Sequence, residues 1–175
     1  EVRDTDHFFI RLDMFQESLE IYASSRQSVW KPNVRSMTKN WLNMGLRPRA
    51  VTRDIEWGID IPLPGAEWSS KSIYVWFEAV QGYYSCARIW SERFATTNDH
   101  PDGDSAWENW WKKSSNGESP KHIYFMGKDN IPFHTIIWPA LIMGINASAN
   151  NGDITNEAFE GDLVLGTNVS SNEYH

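Results

Sequence analysis

Apolar residues recur at helical spacing in the first quarter of the chain. Phe15, Leu19 and Tyr22 put one stripe on a helix over residues 14–26, with Asp13 as its N-cap. Before it, Phe8 and Ile10 alternate with Phe9 and Arg11, which predicts a short strand over residues 7–12. Val34, Met37, Trp41 and Leu42 predict a second helix over residues 33–44, stopped by Gly45. Pro48 then forces an extended path into residues 50–53.

From there the pattern changes to strand followed by helix. Residues 61–65 (IPLPG) are a turn. Residues 72–77 are a continuous run of β-formers, as in a strand buried on both faces of a parallel sheet. A helix follows to about residue 94, with Tyr83, Ala87, Trp90 and Phe94 on one stripe. Residues 98–117 are polar and acidic around Trp107, Trp110 and Trp111, and they read as an insert or connecting helix whose tryptophans pack. A second buried strand is predicted over residues 122–126. A helix over residues 132–143 comes next, with Pro132 in its first turn and a kink at Pro139. Residues 144–152 read as loop, 155–159 as one helical turn and 163–165 as a short strand. Strands alternating with helices imply an α/β doubly wound sheet, whose ligands sit beyond the carboxyl ends of the strands. Residues 76–79 and 127–129 lie at two such ends, so their side chains are expected to share one crevice.

Composition narrows the function classes. With 41% hydrophobic residues and 10 Trp the chain can build a core. A net charge of −7 argues against a general nucleic-acid coat. Between Trp30 and Arg53, however, lie six basic residues (Lys31, Arg35, Lys39, Arg47, Arg49, Arg53) and no acid, either a solvated face or a phosphate-facing patch. The single Cys86 allows no internal disulfide and no Cys-rich zinc knuckle, which suits a reducing cytoplasm. No apolar run is expected to reach the roughly 20 residues of a membrane span. The N-terminus lacks a signal-peptide pattern.

Four groups of residues carry candidate chemistry. Gly127 at a strand end permits close approach to the backbone, Lys128 offers a point charge to a phosphate, and Asp129 accepts hydrogen bonds from hydroxyls or an amine. A solvated turn has the same composition. No glycine-rich phosphate loop occurs elsewhere in the chain. His134, near a helix start, is expected to stay neutral because the helix dipole disfavours added positive charge, and no partner at metal-ligand spacing accompanies it. Trp76, Ala79, Val80 and Tyr83 form aromatic walls around a small floor, a slot for an elongated polarisable side chain or plain core packing. Arg53 with Asp54 is either a structural ion pair or a phosphate contact.

In order along the chain, residues 7–9 (HFF), 52–62 (TRDIEWGIDIP), 74–84 (YVWFEAVQGYY), 125–144 (FMGKDNIPFHTIIWPALIMG) and 169–174 (VSSNEY) resemble the methionyl-tRNA synthetases, a family of class I aminoacyl-tRNA synthetases. The resemblance implies activation of methionine with ATP and Mg2+ to methionyl-adenylate, followed by transfer to the 3′ end of tRNA(Met). It implies that Trp76, Ala79, Val80, Tyr83, Phe133 and His134 line the methionine side-chain pocket. Gly127, Asp129 and Asp60 would hold the ribose of the adenylate, with Lys128 and Arg53 at the phosphates. It further implies that residues 1–50 end a connective insertion and that 51–175 form the second half of a Rossmann-like catalytic domain. Two departures bear on pocket shape: Val80 stands where the family usually has proline, and Gln81 where it usually has an apolar residue. The H-x-G-H type segment and the K-M-S-K-S type loop that grip ATP are not in this sequence, nor is a zinc site. A piece of a synthetase that is inactive without the remainder of its chain is therefore expected. The alternatives are a non-catalytic paralogue that binds methionine or a protein partner, and a class I synthetase for an aliphatic amino acid, against which the aromatic slot speaks.

Overall fold

A computed structural model describes residues 4–95, 97, 100–149 and 161–172. Strand β1 (Phe9–Ile10) is shorter than the alternation predicts. Leu12 and Phe15 turn inward in a 3-10 turn, Leu12–Phe15, and helix α1 begins only at Gln16 (Gln16–Ser25). Asp13 does not cap it, because its carboxylate is held by the Arg11 guanidinium. Helix α2 (Pro32–Asn43) matches its prediction and ends at Gly45, whose φ of +73° is open to glycine. The two helices form a hairpin locked by one side chain: Gln16 donates to the Leu42 carbonyl at 3.0 Å and accepts the Leu46 N–H at 2.9 Å.

Strand β2 (Arg49–Ala50) pairs antiparallel with β1, and β3 (Thr52–Arg53) pairs antiparallel with β4 (Ser72–Ile73). The run at 72–77 is therefore not one buried parallel strand. In the antiparallel register Ile73 faces Thr52, and the Tyr74 N–H then reaches the Val51 carbonyl at 2.8 Å. Beyond that bond the chain turns at Tyr74 and winds into helix α3 (Val75–Ala79), against the β preference of Val75 and Trp76. Helix α4 (Gly82–Trp90) continues into a π-helical turn, Ser91–Ala95. The Trp-rich segment holds a short helix α5 (Glu108–Trp111). Trp107 and Trp111 are buried, and Tyr84 meets both rings edge-on.

Strand β5 (Ile123–Gly127) leads through a 3-10 turn (Lys128–Asn130) and a π-helical turn (Phe133–Ile137) into helix α6 (Trp138–Ala149). The π turn ends two residues before Pro139, whose missing N–H and ring disturb the regular ladder, and α6 continues through that proline. Helix α6 runs on through part of the predicted loop. Gly144 lies against the Phe15 ring, where an added Cβ would stand in ordinary contact at 3.5 Å. Buried Asn146 holds the Leu163 backbone by two hydrogen bonds of 3.0 Å each. Contrary to the absence of any membrane-length apolar run expected above, the helical stretch Lys128–Ala149 is long and apolar enough by composition to cross a membrane. Most of it is buried inside the fold, as in a core helix.

Strand β6 (Asn168–Asn172) lies parallel to β5, Ile123 opposite Asn168 and Gly127 opposite Asn172. β5, α6 and β6 make a single βαβ unit. Among the described residues the sheets have two strands each, so the doubly wound sheet expected from the alternation is not displayed. β5 is also not buried on both faces: Tyr124 is buried, while Phe125 is 77% exposed. The predicted strand at 163–165 reduces to one bridge, Leu163 to Lys112, beside a bond from the Val164 N–H to the Trp111 carbonyl. The helical turn predicted at 155–159 lies outside the described residues. One buried cluster joins Leu19, Tyr22 and Val34 of the helical hairpin to Ile131, Ile136 and Trp138. Across it the Thr38 hydroxyl meets the Thr135 hydroxyl at 2.9 Å, and the Tyr22 hydroxyl donates to the Gly166 carbonyl at 2.9 Å.

Candidate functional site

The site is built where α3 and α4 face the start of the β5–α6 helix. The crossing from β4 into α3 brings Trp76 to 5.7 Å from the Phe133 ring, centroid to centroid. Seven residues further, in the first turn of α4, the Tyr83 hydroxyl reaches His134 Nε2 at 2.9 Å. His134 Nδ1 lies 2.9 Å from the Asn130 carbonyl, which can only accept. Nδ1 must therefore carry the proton, Nε2 is the acceptor, and Tyr83 donates to it. Burial pushes the imidazole below its usual range, against the opposing pull of the Asn130 carbonyl. His134 is thus neutral as expected, but burial, not the helix dipole, is the principal cause. Burial likewise pushes the Tyr83 hydroxyl up, so Tyr83 stays a donor.

Two residues behind this pair escaped the sequence reading. The Tyr124 ring packs against both Tyr83 (5.1 Å) and His134 (5.4 Å). Its hydroxyl accepts the Trp138 indole N–H at 3.0 Å, and burial raises that phenol to about 12. Trp138 lies four residues beyond His134 on the same helical stretch, and that spacing was the available signal. Tyr124 sits on the one side of β5 that is buried, which the uniformly apolar strand did not reveal.

The other members of the predicted slot are placed differently. Val80 is buried in the core cluster, whereas Ala79 is exposed and Trp76 is half-exposed. The aromatic members thus meet in two contacts, Trp76 with Phe133 and Tyr83 with His134, and Trp76 and Tyr83 are each partly exposed.

Gly127 ends β5 with φ −72°, so no left-handed geometry demands a glycine there. Lys128 and Asp129 follow in the 3-10 turn. Both are exposed, and neither has an ion pair or side-chain hydrogen bond among the described residues. One cation and one anion thus stand, unpaired among the described residues, at the carboxyl end of a parallel strand. Asp60 is exposed and joins Ser72 only through its backbone bridge. Arg53 does not pair with Asp54. Its Nη1 donates to the Ala50 and Thr52 carbonyls, and its guanidinium stacks on Tyr74 at 3.9 Å. Asp54 belongs to Lys71 and Thr5, which hold its carboxyl below the usual range. Among the described residues no interaction links Arg53 to the Gly127–Asp129 end. No group of three or more His, Cys, Asp or Glu among them is arranged to hold a metal ion.

The family described as tRNA synthetases class I (M) matches residues 1–161. A methionine–tRNA ligase of Roseiflexus sp. (strain RS-1) is 43% identical over 174 residues, which cover 98% of this chain and 26% of that protein. One from Thermoplasma volcanium is 42% identical over 174 residues, covering 99% and 27% respectively. In fold, the chain resembles the crystal structure of Mycobacterium tuberculosis methionyl-tRNA synthetase bound by methionyl-adenylate, with a TM-score of 0.61 at 22% identity over 95% of this chain and 26% of that one. The apo form of the same synthetase gives a TM-score of 0.63 at 21% identity. The chain spans about a quarter of the length of the curated relatives it matches.

Proposed function

This chain belongs to the class I tRNA synthetases (M), and from that premise we propose that it supplies the methionine pocket and part of the adenylate site of a methionine–tRNA ligase. The observation that carries this is the neutral His134 held between the Tyr83 hydroxyl and the Asn130 carbonyl, with the ring of its sequence neighbour Phe133 in contact with Trp76. A slot with polarisable walls and no net charge suits a thioether side chain. Trp76, Tyr83, Phe133 and His134 form the walls, with Ala79 and Val80 at the turn between α3 and α4.

In this reading, a methionine carboxylate oxygen bonds to the α-phosphorus of ATP, and the bond from that phosphorus to the bridging oxygen breaks, releasing pyrophosphate. A ribose hydroxyl at the 3′ end of tRNA(Met) then attacks the activated carbonyl, and AMP leaves. Gly127, Asp129 and Asp60 hold the ribose, and Lys128 and Arg53 offset charge on the phosphates. Catalysis is by positioning and electrostatic stabilisation. ATP enters with Mg2+ as a substrate complex. Residues 1–50 are assigned to the end of a connective insertion and 51–175 to the second half of the catalytic domain, although the two share one core. The β5–α6–β6 unit belongs, in the same proposal, to a larger Rossmann-like doubly wound sheet whose other strands lie outside this chain. The exposed Phe125 on β5 supports that placement. A cytoplasmic setting accords with the lone cysteine.

The full-length ligase is expected to catalyse methionine-dependent ATP–pyrophosphate exchange, and the 175-residue chain alone is not. Exchange supported by isoleucine in preference to methionine would overturn the substrate assignment. Exchange by the isolated chain at the full-length rate would overturn the division of the site between this chain and the rest.

A further inference from the structure

Helix α2 carries a line of cations that the site described above does not use. Arg35 and Lys39 lie four residues apart on one face of the helix, and Lys31, its N-cap, stands four residues before Arg35. At 1.5 Å per residue they stand about 6 Å apart. All three are exposed, and none forms an ion pair among the described residues. Arg35 donates Nη1 to the Gln27 carbonyl at 3.0 Å, a bond that fixes the guanidinium beside the groove between α1 and α2. That groove, of about 550 Å³, is lined by Arg35 and Lys39, by the polar groups of Ser24, Gln27, Ser36 and Asn43, and by the apolar Trp30 and Leu42. Glu20 lines it as well, and its carboxylate is engaged by the Gln16 side-chain amide. No acidic residue occupies the first turn of α2, where the helix dipole would favour one.

These features are unusual in a chain of net charge −7. Unpaired cations in one row, beside neutral donors and acceptors, fit a regular polyanion better than a single ion. A nucleic-acid duplex offers one phosphate per roughly 3.4 Å of axis on each strand, so each cation of the row can meet a separate phosphate. Neutral side chains between the cations can meet sugar hydroxyls. We infer that the α2 face bearing Lys31, Arg35 and Lys39 is a docking surface for the sugar–phosphate backbone of RNA. The inference rests on the ligase reading, which makes an RNA the second substrate. It adds where that RNA lies: on the outer face of α2, whose buried face is joined through Thr38 to Thr135, the neighbour of His134.

The test uses the full-length ligase with Lys31→Ala, Arg35→Ala and Lys39→Ala combined, and separately with Lys31→Arg and Lys39→Arg combined. Two reactions are measured: methionine-dependent ATP–pyrophosphate exchange without RNA, and aminoacylation of transcribed tRNA(Met) over a range of salt. With alanines, exchange is expected unchanged, KM for the RNA raised on the order of tenfold, and the slope of log KM against log salt reduced by about 2 to 3. The arginine variant is expected to keep both. An unchanged KM and salt slope in the alanine variant overturns the inference. An equal fall in exchange and aminoacylation also overturns it, since that marks damage to the fold. Absence of methionine-dependent exchange in the unaltered ligase would instead refute the underlying functional reading.

Discussion

Replacing Tyr83 by Phe in the full-length ligase isolates one hydrogen bond of the proposed pocket. The ring remains, with its contacts to Tyr124 at 5.1 Å and to His134 at 5.7 Å. Only the hydroxyl that donates to His134 Nε2 at 2.9 Å is lost. His134 is 6% exposed, so an unpaired Nε2 costs desolvation energy that a surface group would not. Tyr83 is 44% exposed, however, and water can reach its side of the pair and restore part of the bond. The cost therefore belongs at the low end of the usual range, about 1 kcal/mol. That corresponds to about a fivefold loss in kcat/KM for methionine in ATP–pyrophosphate exchange. His134→Ala removes both imidazole bonds and leaves a cavity, which raises the loss to roughly a hundredfold, about 3 kcal/mol. The decisive comparison is Tyr83→Phe in the His134→Ala background. There the hydroxyl has no partner left to lose, so the second substitution is expected to add almost nothing. A full fivefold effect in that background would refute the coupling, and an unaltered kcat/KM in both single variants would refute the pocket.

Acid should weaken the fold through two histidines. Burial lowers both His134 and His122, so the unfolded chain takes up protons near pH 6.5 that the folded one refuses. Stability conferred by the neutral rings is complete above about pH 6.5 and is lost as pH falls below it, and a His134→Gln, His122→Gln variant measured by thermal melting from pH 7.5 to 5 should show a flatter acid limb. Tyr124→Phe keeps the ring packing and strips the acceptor from the Trp138 indole N–H, which is 2% exposed. A loss of about 1–2 kcal/mol is expected, read as faster amide exchange along α6 in the full-length ligase, and unchanged exchange there would show that the indole finds another acceptor.

The local elements were legible wherever a segment's own pattern decided its conformation. The stripe of Val34, Met37 and Leu42 with the Gly45 stop fixed α2 almost to the residue, because amphipathic spacing and the glycine cap act locally. The order of motifs through residues 52–62, 74–84 and 125–144 likewise sufficed to name a family, since side-chain identity survives without coordinates. The conformation of residues 72–77 was not legible. Their β-formers favour a strand, but a strand needs a ladder, and only the fold shows that the pairing with β3 covers Ser72 and Ile73 and gives out after the Tyr74 bond to Val51. The polar strand β6 was hidden for the opposite reason: its stability comes from the parallel pairing with β5 and not from its own residues. The same division holds at the site. Sequence alone brought forward Trp76, Tyr83, Phe133 and His134. That the histidine is neutral by burial, with its proton on Nδ1, depends on the Asn130 carbonyl and the Tyr83 hydroxyl meeting one ring, which only the tertiary structure decides.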